Sequence, residues 1–526
     1  MIDFSPAGAP GQGVTRRLRQ LSGWQRVLLS ALMGVVMTLG HAPTDLPWGF
    51  FLALPVVLAM TAEVDRPRQA AWIGWGLGFG YFISGLHWIG HAFLVDPDQH
   101  AWMLPFALTL LPGFLALFWA GAFWLAKRIW PQTLALQALV LASSWTLVEI
   151  ARGHVLTGFP WALPAYAWVE TPLLQSASWA GPFGLTLIVL FLGSYLPMAL
   201  LARSLAGTAL AAAGFAGLWI WGTARVPETV TYAPDAPLIR IVQPDAPQHL
   251  KWNRDYIPRF YRRLLEASAA PLEGREGAPD LILWPETAVA YLPERFPEGR
   301  QQIAAAARGA PVVTGAITAP EAGAQIGYFN SLVTILPDAS MGPSYNKHHL
   351  VPFGEYVPFA WILKPLGLEQ IALFGGFDEG PGPATISLPG LPSFAAAICY
   401  EMIFPHEIVG TGPRPDWIVT ITNDAWFGGF AGPQQHLDQA RFRAVEQGLP
   451  AARAANTGIS AMIDPYGRVT NSLPLHTHGA IDVLLPEKAP ETLFSQMRWT
   501  STIGLIALIL AFLTVFARQS RQIDKS

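Results

Sequence analysis

The chain has 526 residues, of which 52% are hydrophobic and 13% charged, about half the charged share of an ordinary soluble domain. A net charge of −3 argues against a nucleic-acid partner, which needs a strongly basic surface. The length leaves room for two or more domains, and a single cysteine excludes an intrachain disulfide.

In the N-terminal half, Asp, Glu, Lys and Arg are absent from residues 69–95, 99–126, 129–148 and 204–224. Each window can cross a hydrocarbon core, which takes roughly 20 apolar residues. The pattern predicts helices near 24–41, 47–62, 70–95, 101–126, 132–151, 178–202, 207–224 and 499–517. Arg16, Arg17 and Arg19 resemble the charged start of a signal peptide. Further apolar stretches follow and no convincing cleavage site appears, so the first stretch reads as a membrane helix.

Basic residues set the expected orientation. Arg16, Arg17 and Arg19 precede the first helix, and Arg66 and Arg68 follow the second. Lys127 and Arg128 follow the fourth, Arg203 the sixth, and Arg518, Arg521 and Lys525 the eighth. With eight spans all five clusters face one side, taken as the cytoplasm, with both termini there. The expected division is a membrane domain of about seven helices over residues 1–231, an extracytoplasmic domain over 232–491, and a last helix and cytoplasmic tail over 492–526. Within the membrane region, Glu149 and Arg152 read as an ion pair at a helix end. His87 and His91 read as interfacial residues on one helix face, since no third metal ligand is evident.

Residues 232–491 have ordinary charge density. Leu238–Gln243, Leu281–Glu286, Phe394–Cys399 and Trp417–Asn423 read as buried strands ending in polar residues, separated in places by helices over 256–270 and 299–307. This alternation predicts an α/β layered domain, in which reactive groups sit where loops leave the strands.

Three reactive side chains lie beside apolar sequence: Glu286 after Trp284–Pro285, Lys347 before His348–His349, and Cys399 at the end of its strand. A thiol of ordinary pKa needs a neighbouring cation or base to become a nucleophile. A carboxylate can take the proton and return it to the leaving group. A lysine ammonium, with the backbone N–H after the cysteine, can offset an oxyanion.

Together these residues resemble the Glu-Lys-Cys triad of the nitrilase superfamily. With Thr157–Trp161, Val351–Pro358, Asn423–Gly428 and the apolar stretches, the chain resembles the apolipoprotein N-acyltransferase family over nearly its whole length. The resemblance implies an α-β-β-α layered sandwich carried on a polytopic α-helical membrane domain of the bacterial inner membrane, with the catalytic domain periplasmic. It implies a phospholipid acyl donor, a thioester on Cys399 and a diacylglyceryl-apolipoprotein acceptor, with no cofactor. It makes Cys399 nucleophile, Glu286 general base and acid, Lys347 the oxyanion partner and Glu355 a supporting carboxylate. Tyr400 and Glu401 match further family positions.

The segment 356–375 is rich in apolar residues yet broken by Pro358, Pro365, Gly367, Gly375 and Gly376. It reads as a lid in which Phe359, Trp361 and Leu363 contact lipid, with a buried loop as the alternative. His348, His349, His436, His476 and His478 lack acidic or thiol ligands at metal spacing, so no metal is expected. Three other functions remain open: a membrane-tethered amidase or nitrilase, an acyltransferase acting on a polyprenyl-linked sugar, and a transporter with a binding domain. Against the transporter, the third and fourth helices carry no charge to hold a polar substrate.

Overall fold

The computed structural model describes residues 17–272, 274, 276–319, 327–363 and 376–523, with the backbone alone for Ile362, Leu363, Trp499 and residues 517–523. These residues pack as two units, divided between Pro227 and Glu228 and between Thr492 and Leu493.

The first unit is helical. Its main helices are α1 (Gly23–Thr38), α2 (Gly49–Ala62), α3 (Pro67–Gly85), α4 (Leu104–Arg128), α5 (Leu134–His154), α6 (Ala177–Leu201) and α7 (Leu205–Arg225), with a C-terminal helix over Trp499–Ile523. Each of the eight stretches expected to be membrane helices overlaps one of these. Among the described residues, four helical segments, Pro97–Arg128, Leu134–His154, Pro172–Leu201 and Leu205–Arg225, are long and apolar enough to cross a membrane. Helices α1 and α3 meet backbone to backbone: a Cβ on Gly34 would fall 2.1 Å from the Leu77 carbonyl oxygen, and one on Gly80 1.9 Å from that of Ala31. Small residues allow such close approach where burial of apolar surface gives little drive between helices.

One expectation changes in this unit and another gains detail. The third helix stops at Gly85 and continues as a 3-10 segment, His87–Leu94. With about three residues per turn, positions four apart point in different directions, so His87 and His91 do not share a helix face, and both are exposed. The Glu149–Arg152 ion pair does form, but it is buried, with Glu149 0% and Arg152 1% exposed. Trp119 donates to Glu149, and Arg152 donates to the Phe159 and Trp161 carbonyls. The pair thereby anchors the aromatic loop after α5.

The second unit is two stacked six-stranded sheets. The first holds β1 (Leu238–Gln243), β2 (Leu281–Leu283), β3 (Val312–Thr318), β4 (Phe329–Ile335) and β5 (Met341–Asn346). The second holds β6 (Ala384–Ile386), β7 (Phe394–Ile398), β8 (Trp417–Thr422), β9 (Ala451–Ala455), β10 (Ser460–Ile463) and β11 (Val469–Leu473), and β12 (Gly479–Leu484) returns to the first sheet. Their orders are β12-β1-β2-β3-β4-β5 and β11-β10-β9-β8-β7-β6. Each sheet is parallel at its centre, β1-β2-β3 and β7-β8-β9, and antiparallel at its margins.

Strand alternation builds the layers. Ile239, Ile241, Leu281 and Leu283 pack against Phe394, Ala396, Ile398 and Val419 between the sheets. The other face of the first sheet, with Val242, Ile282 and Trp284, packs on Leu264 and Ile303 of α8 (Ile257–Ala269) and α9 (Pro297–Ala307). The other face of the second, with Ala395, Ala397 and Ile418, packs on Ala440 and Ala444 of α10 (Gly432–Gln447). The result is the α-β-β-α sandwich. β2 is shorter than expected: Pro285 has no N–H to donate, so regular pairing lapses after the Trp284 N–H meets the Val313 carbonyl at 2.8 Å, although Gly315 of β3 still donates to the Pro285 carbonyl at 3.1 Å.

Candidate active site

Parallel pairing puts the C-terminal ends of β1, β2 and β3 at one margin of the first sheet, and those of β7, β8 and β9 at one margin of the second. Glu286 lies three residues beyond β2, Cys399 directly after β7, and Asp424 two residues beyond β8. Lys347 leaves β5, its N–H held by the Asn330 carbonyl at 2.9 Å.

Glu286, Lys347 and Glu355 form one buried cluster. Lys347 Nζ donates to Glu355 Oε1 at 2.9 Å and lies 3.4 Å from Glu286 Oε1. Asn330 Nδ2, from β4, bridges the same two oxygens at 2.7 Å to Glu286 and 2.8 Å to Glu355. Glu355 Oε2 accepts from the Val351 N–H at 2.8 Å. Burial disfavours the Lys347 charge, but the Glu355 and Glu286 carboxylates outweigh it and hold the ammonium above its usual range. Asn330 stands 17 residues before Lys347 with no local motif, which is why its bridging position was not legible in the sequence.

Cys399 is buried and adopts φ +50°, a left-handed conformation uncommon outside glycine. Burial pushes the thiol pKa up, and the Glu286 charge adds to that more than the Lys347 ammonium offsets it. The resting group is therefore a thiol, whose proton needs an acceptor before attack.

The turn that carries Cys399 is braced by Glu401. One carboxylate oxygen accepts from the Ile398 N–H at 2.6 Å. The other accepts from the Tyr345 hydroxyl at 2.6 Å and the His348 N–H at 2.8 Å. It thus ties the turn that carries Cys399 to the segment after β5. Despite full burial, its bonds to His348 and Tyr345 hold the carboxyl below its usual range. Tyr400 is buried, with His349 and Phe404 at 5.7 Å and 5.2 Å between ring centroids.

A buried group behind the cysteine had no assigned role in the sequence. Asp424 Oδ1 is 2.8 Å from the Thr422 hydroxyl and 2.9 Å from His436 Nδ1, and Asp424 Oδ2 pairs with Arg453. His436 Nε2 donates to the Cys399 carbonyl at 3.1 Å. Cys399, Asp424 and His436 each place a potential ligand atom within 4.8 Å of the others. Arg453 already supplies a cation there: its guanidinium lies on Asp424 and 3.1 Å from His436 Nδ1. A dication would meet that guanidinium, so the donor set fits a brace better than a metal centre. Asp424 lies within the Asn423–Gly428 motif, but His436 and Arg453 are 12 and 29 residues further on, beyond any local pattern.

Lys251, also without an assigned role, is buried behind Glu286. It donates to the Glu286 carbonyl at 3.0 Å and the Thr287 hydroxyl at 2.7 Å. Burial lowers its pKa to about 8 against the opposing pull of Glu286 and Cys399. It forms part of the wall of a cavity of about 270 Å³ whose other sides include Trp252, Phe260, Tyr261 and Tyr291.

Of the three residues expected in a lid, the two whose side chains are described are exposed. Phe359 is 48% and Trp361 77% exposed. Leu363 is placed by its backbone alone, and residues 364–375 of the expected lid lie outside the described residues. His348 Nε2 lies 3.3 Å from Glu407, His349 Nδ1 hydrogen-bonds that carboxylate at 2.7 Å, and His349 stacks on Phe404 at 3.6 Å between ring centroids.

Two family profiles match the chain: the apolipoprotein N-acyltransferase N-terminal domain over residues 33–195 and carbon-nitrogen hydrolase over residues 238–489. An apolipoprotein N-acyltransferase from Brucella suis biovar 1 is 40% identical over 522 residues, covering 95% of this chain and 96% of its own length. One from Rhodopseudomonas palustris is 38% identical over 508 residues, covering 93% and 94%. Among solved structures, an amidase from Nesterenkonia sp. aligns with 53% of this chain and 99% of its own at 20% identity and a TM-score of 0.33. With such relatives along nearly its whole length, and a carbon-nitrogen hydrolase domain joined to apolar helices, the chain belongs to the apolipoprotein N-acyltransferase family.

Proposed function

We propose that this chain transfers a fatty acyl group from a phospholipid, through a thioester on Cys399, to the α-amine of an S-diacylglyceryl-cysteine apolipoprotein. The observation that carries the reading is the buried Glu286–Lys347–Glu355 cluster beside a buried thiol, in a carbon-nitrogen hydrolase domain joined to apolar helices.

Glu286 takes the thiol proton as sulfur attacks the ester carbonyl of the donor. The oxyanion forms against the Lys347 ammonium, which Glu355 keeps charged, and against the backbone N–H after Cys399. Collapse breaks the carbon–oxygen bond, and Glu286 returns the proton to the departing lysophospholipid oxygen. The acceptor amine then attacks the thioester and gives its proton to Glu286. The second tetrahedral intermediate collapses to an amide, and Cys399 leaves and is reprotonated. Water must stay out while the thioester waits, and the buried surroundings of Cys399 favour that exclusion.

The same proposal places the chain in the bacterial inner membrane, with residues 232–491 periplasmic and both termini cytoplasmic. Phe359, Trp361 and Leu363 belong to a lid that contacts lipid. Incubation with phospholipid and a diacylglyceryl peptide, followed by mass analysis of both, tests the function. It should yield lysophospholipid and N-acylated peptide in equal amounts. Free fatty acid with unmodified peptide would instead identify a hydrolase.

A further inference from the structure

We infer that Lys251 is a positioning residue for the Glu286 carboxylate, acting through the backbone turn that links Glu286 to Thr287. The inference rests on the reading of Glu286 as the proton acceptor of the acyl transfer.

The turn is unusual. Thr287 has φ +46°, and a β-branched side chain in the left-handed region is a genuine outlier that surrounding contacts must enforce. One enforcing contact is Gly315 on β3. A Cβ there would lie 2.4 Å from the Thr287 nitrogen and 2.5 Å from the Glu286 Cα. Its N–H donates to the Pro285 carbonyl at 3.1 Å, and its carbonyl accepts from the Ala288 N–H at 2.8 Å. The other is Lys251, whose ammonium holds the Glu286 carbonyl and the Thr287 hydroxyl together at 3.0 Å and 2.7 Å. Glu286 is thus fixed from both sides, and its carboxylate meets Asn330 and Lys347.

Lys251 is itself moored to the second sheet. It ends a short helix, Gln248–Lys251. Gln248 accepts from Asn423, just beyond β8, at 2.8 Å. Asn456, just beyond β9, donates to the Asn423 side-chain oxygen and the Ala246 carbonyl, each at 2.8 Å. Lys251 therefore links the strand ends of the cysteine's sheet to the turn that carries the glutamate in the other sheet. A buried ammonium is costly where an apolar side chain would fill the same space, and here its donors are spent on that turn.

The test uses the full-length protein in phospholipid-containing micelles and follows single-turnover acylation of Cys399 against donor concentration. Lys251→Met should lower the maximal rate about 10- to 100-fold, the scale of a small misplacement of a reacting group. The half-saturating donor concentration should not change. Lys251→Arg, which keeps charged donors, should recover most of the rate. Thr287→Val removes one of the two anchors, should slow acylation less, and decides the matter if Lys251→Met fails to fold. A wild-type rate in folded Lys251→Met or Thr287→Val, a loss confined to half-saturation, or no recovery with Arg would overturn the inference. A Cys399→Ala chain that still gains an acyl group would remove the thioester reading instead, so the two failures are distinct.

Discussion

The Lys347 ammonium lies closer to Glu355, at 2.9 Å, than to Glu286, at 3.4 Å. In the proposed mechanism this divides the labour between two carboxylates: Glu355, also fixed by the Val351 N–H, holds the lysine charge, and Glu286 carries the proton.

Removing the Glu355 charge should therefore slow chemistry without removing the thiol. Glu355→Gln should lower the rate of Cys399 acylation roughly 10- to 100-fold by weakening oxyanion stabilisation. The cysteine should remain titratable in the folded protein. Single-turnover acylation compared with thiol counting checks this, and an unchanged rate would separate Glu355 from the reaction.

Glu401 should matter to the shape of the site more than to its proton transfers. Its bonds to the Ile398 and His348 N–H groups and the Tyr345 hydroxyl are charge-assisted and buried, worth about 1.5–3 kcal/mol each. Glu401→Gln should lower the thermal midpoint and speed Cys399 alkylation by small reagents as the turn loosens. Slower acylation with unchanged stability would instead give the residue a chemical role.

His348 gives a pH dependence of stability. Burial lowers its pKa, but hydrogen bonds and charge from Glu401 and Glu407 outweigh burial and raise it to about 9, against about 6.5 in an unfolded chain. The folded state binds this proton more tightly, so the stabilisation is fully present below about pH 6.5 and is lost as pH rises through about 9. The stability gap between wild type and His348→Gln should accordingly shrink between pH 6 and pH 9.5, read from unfolding midpoints. A constant gap would contradict the assignment.

Phe359 and Trp361, exposed by 48% and 77%, should be needed for donors held in a bilayer. Changing both to Asp costs on the order of 1–3 kcal/mol where an apolar interface must be entered. Turnover of vesicle phospholipid should fall, while that of a short-chain soluble ester should not. Equal loss with both substrates would argue for a core role.

Elements that depend on local pattern were legible in the sequence. Strands β1, β7 and β8 fell where apolar runs ended in polar residues, and Glu286 and Cys399 were visible because each closes such a run. What joins distant segments was not. Asn330 reaches Glu286 across 44 residues, and Asn423 reaches Gln248 across 175. The end of α3 at Gly85 has no local signal either, since the apolar composition continues unbroken through the 3-10 segment that follows.

In the proposed mechanism the chain's single cysteine carries the acyl group covalently, and intact-protein mass after incubation with phospholipid alone reads that adduct. The mass should rise by one fatty-acyl unit as lysophospholipid appears, be reset by neutral hydroxylamine, and fall again when diacylglyceryl peptide is added. Glu286→Gln should slow the rise, and Cys399→Ala should abolish it. An adduct that persists in Cys399→Ala, or transfer that proceeds only with both substrates present, would contradict the account.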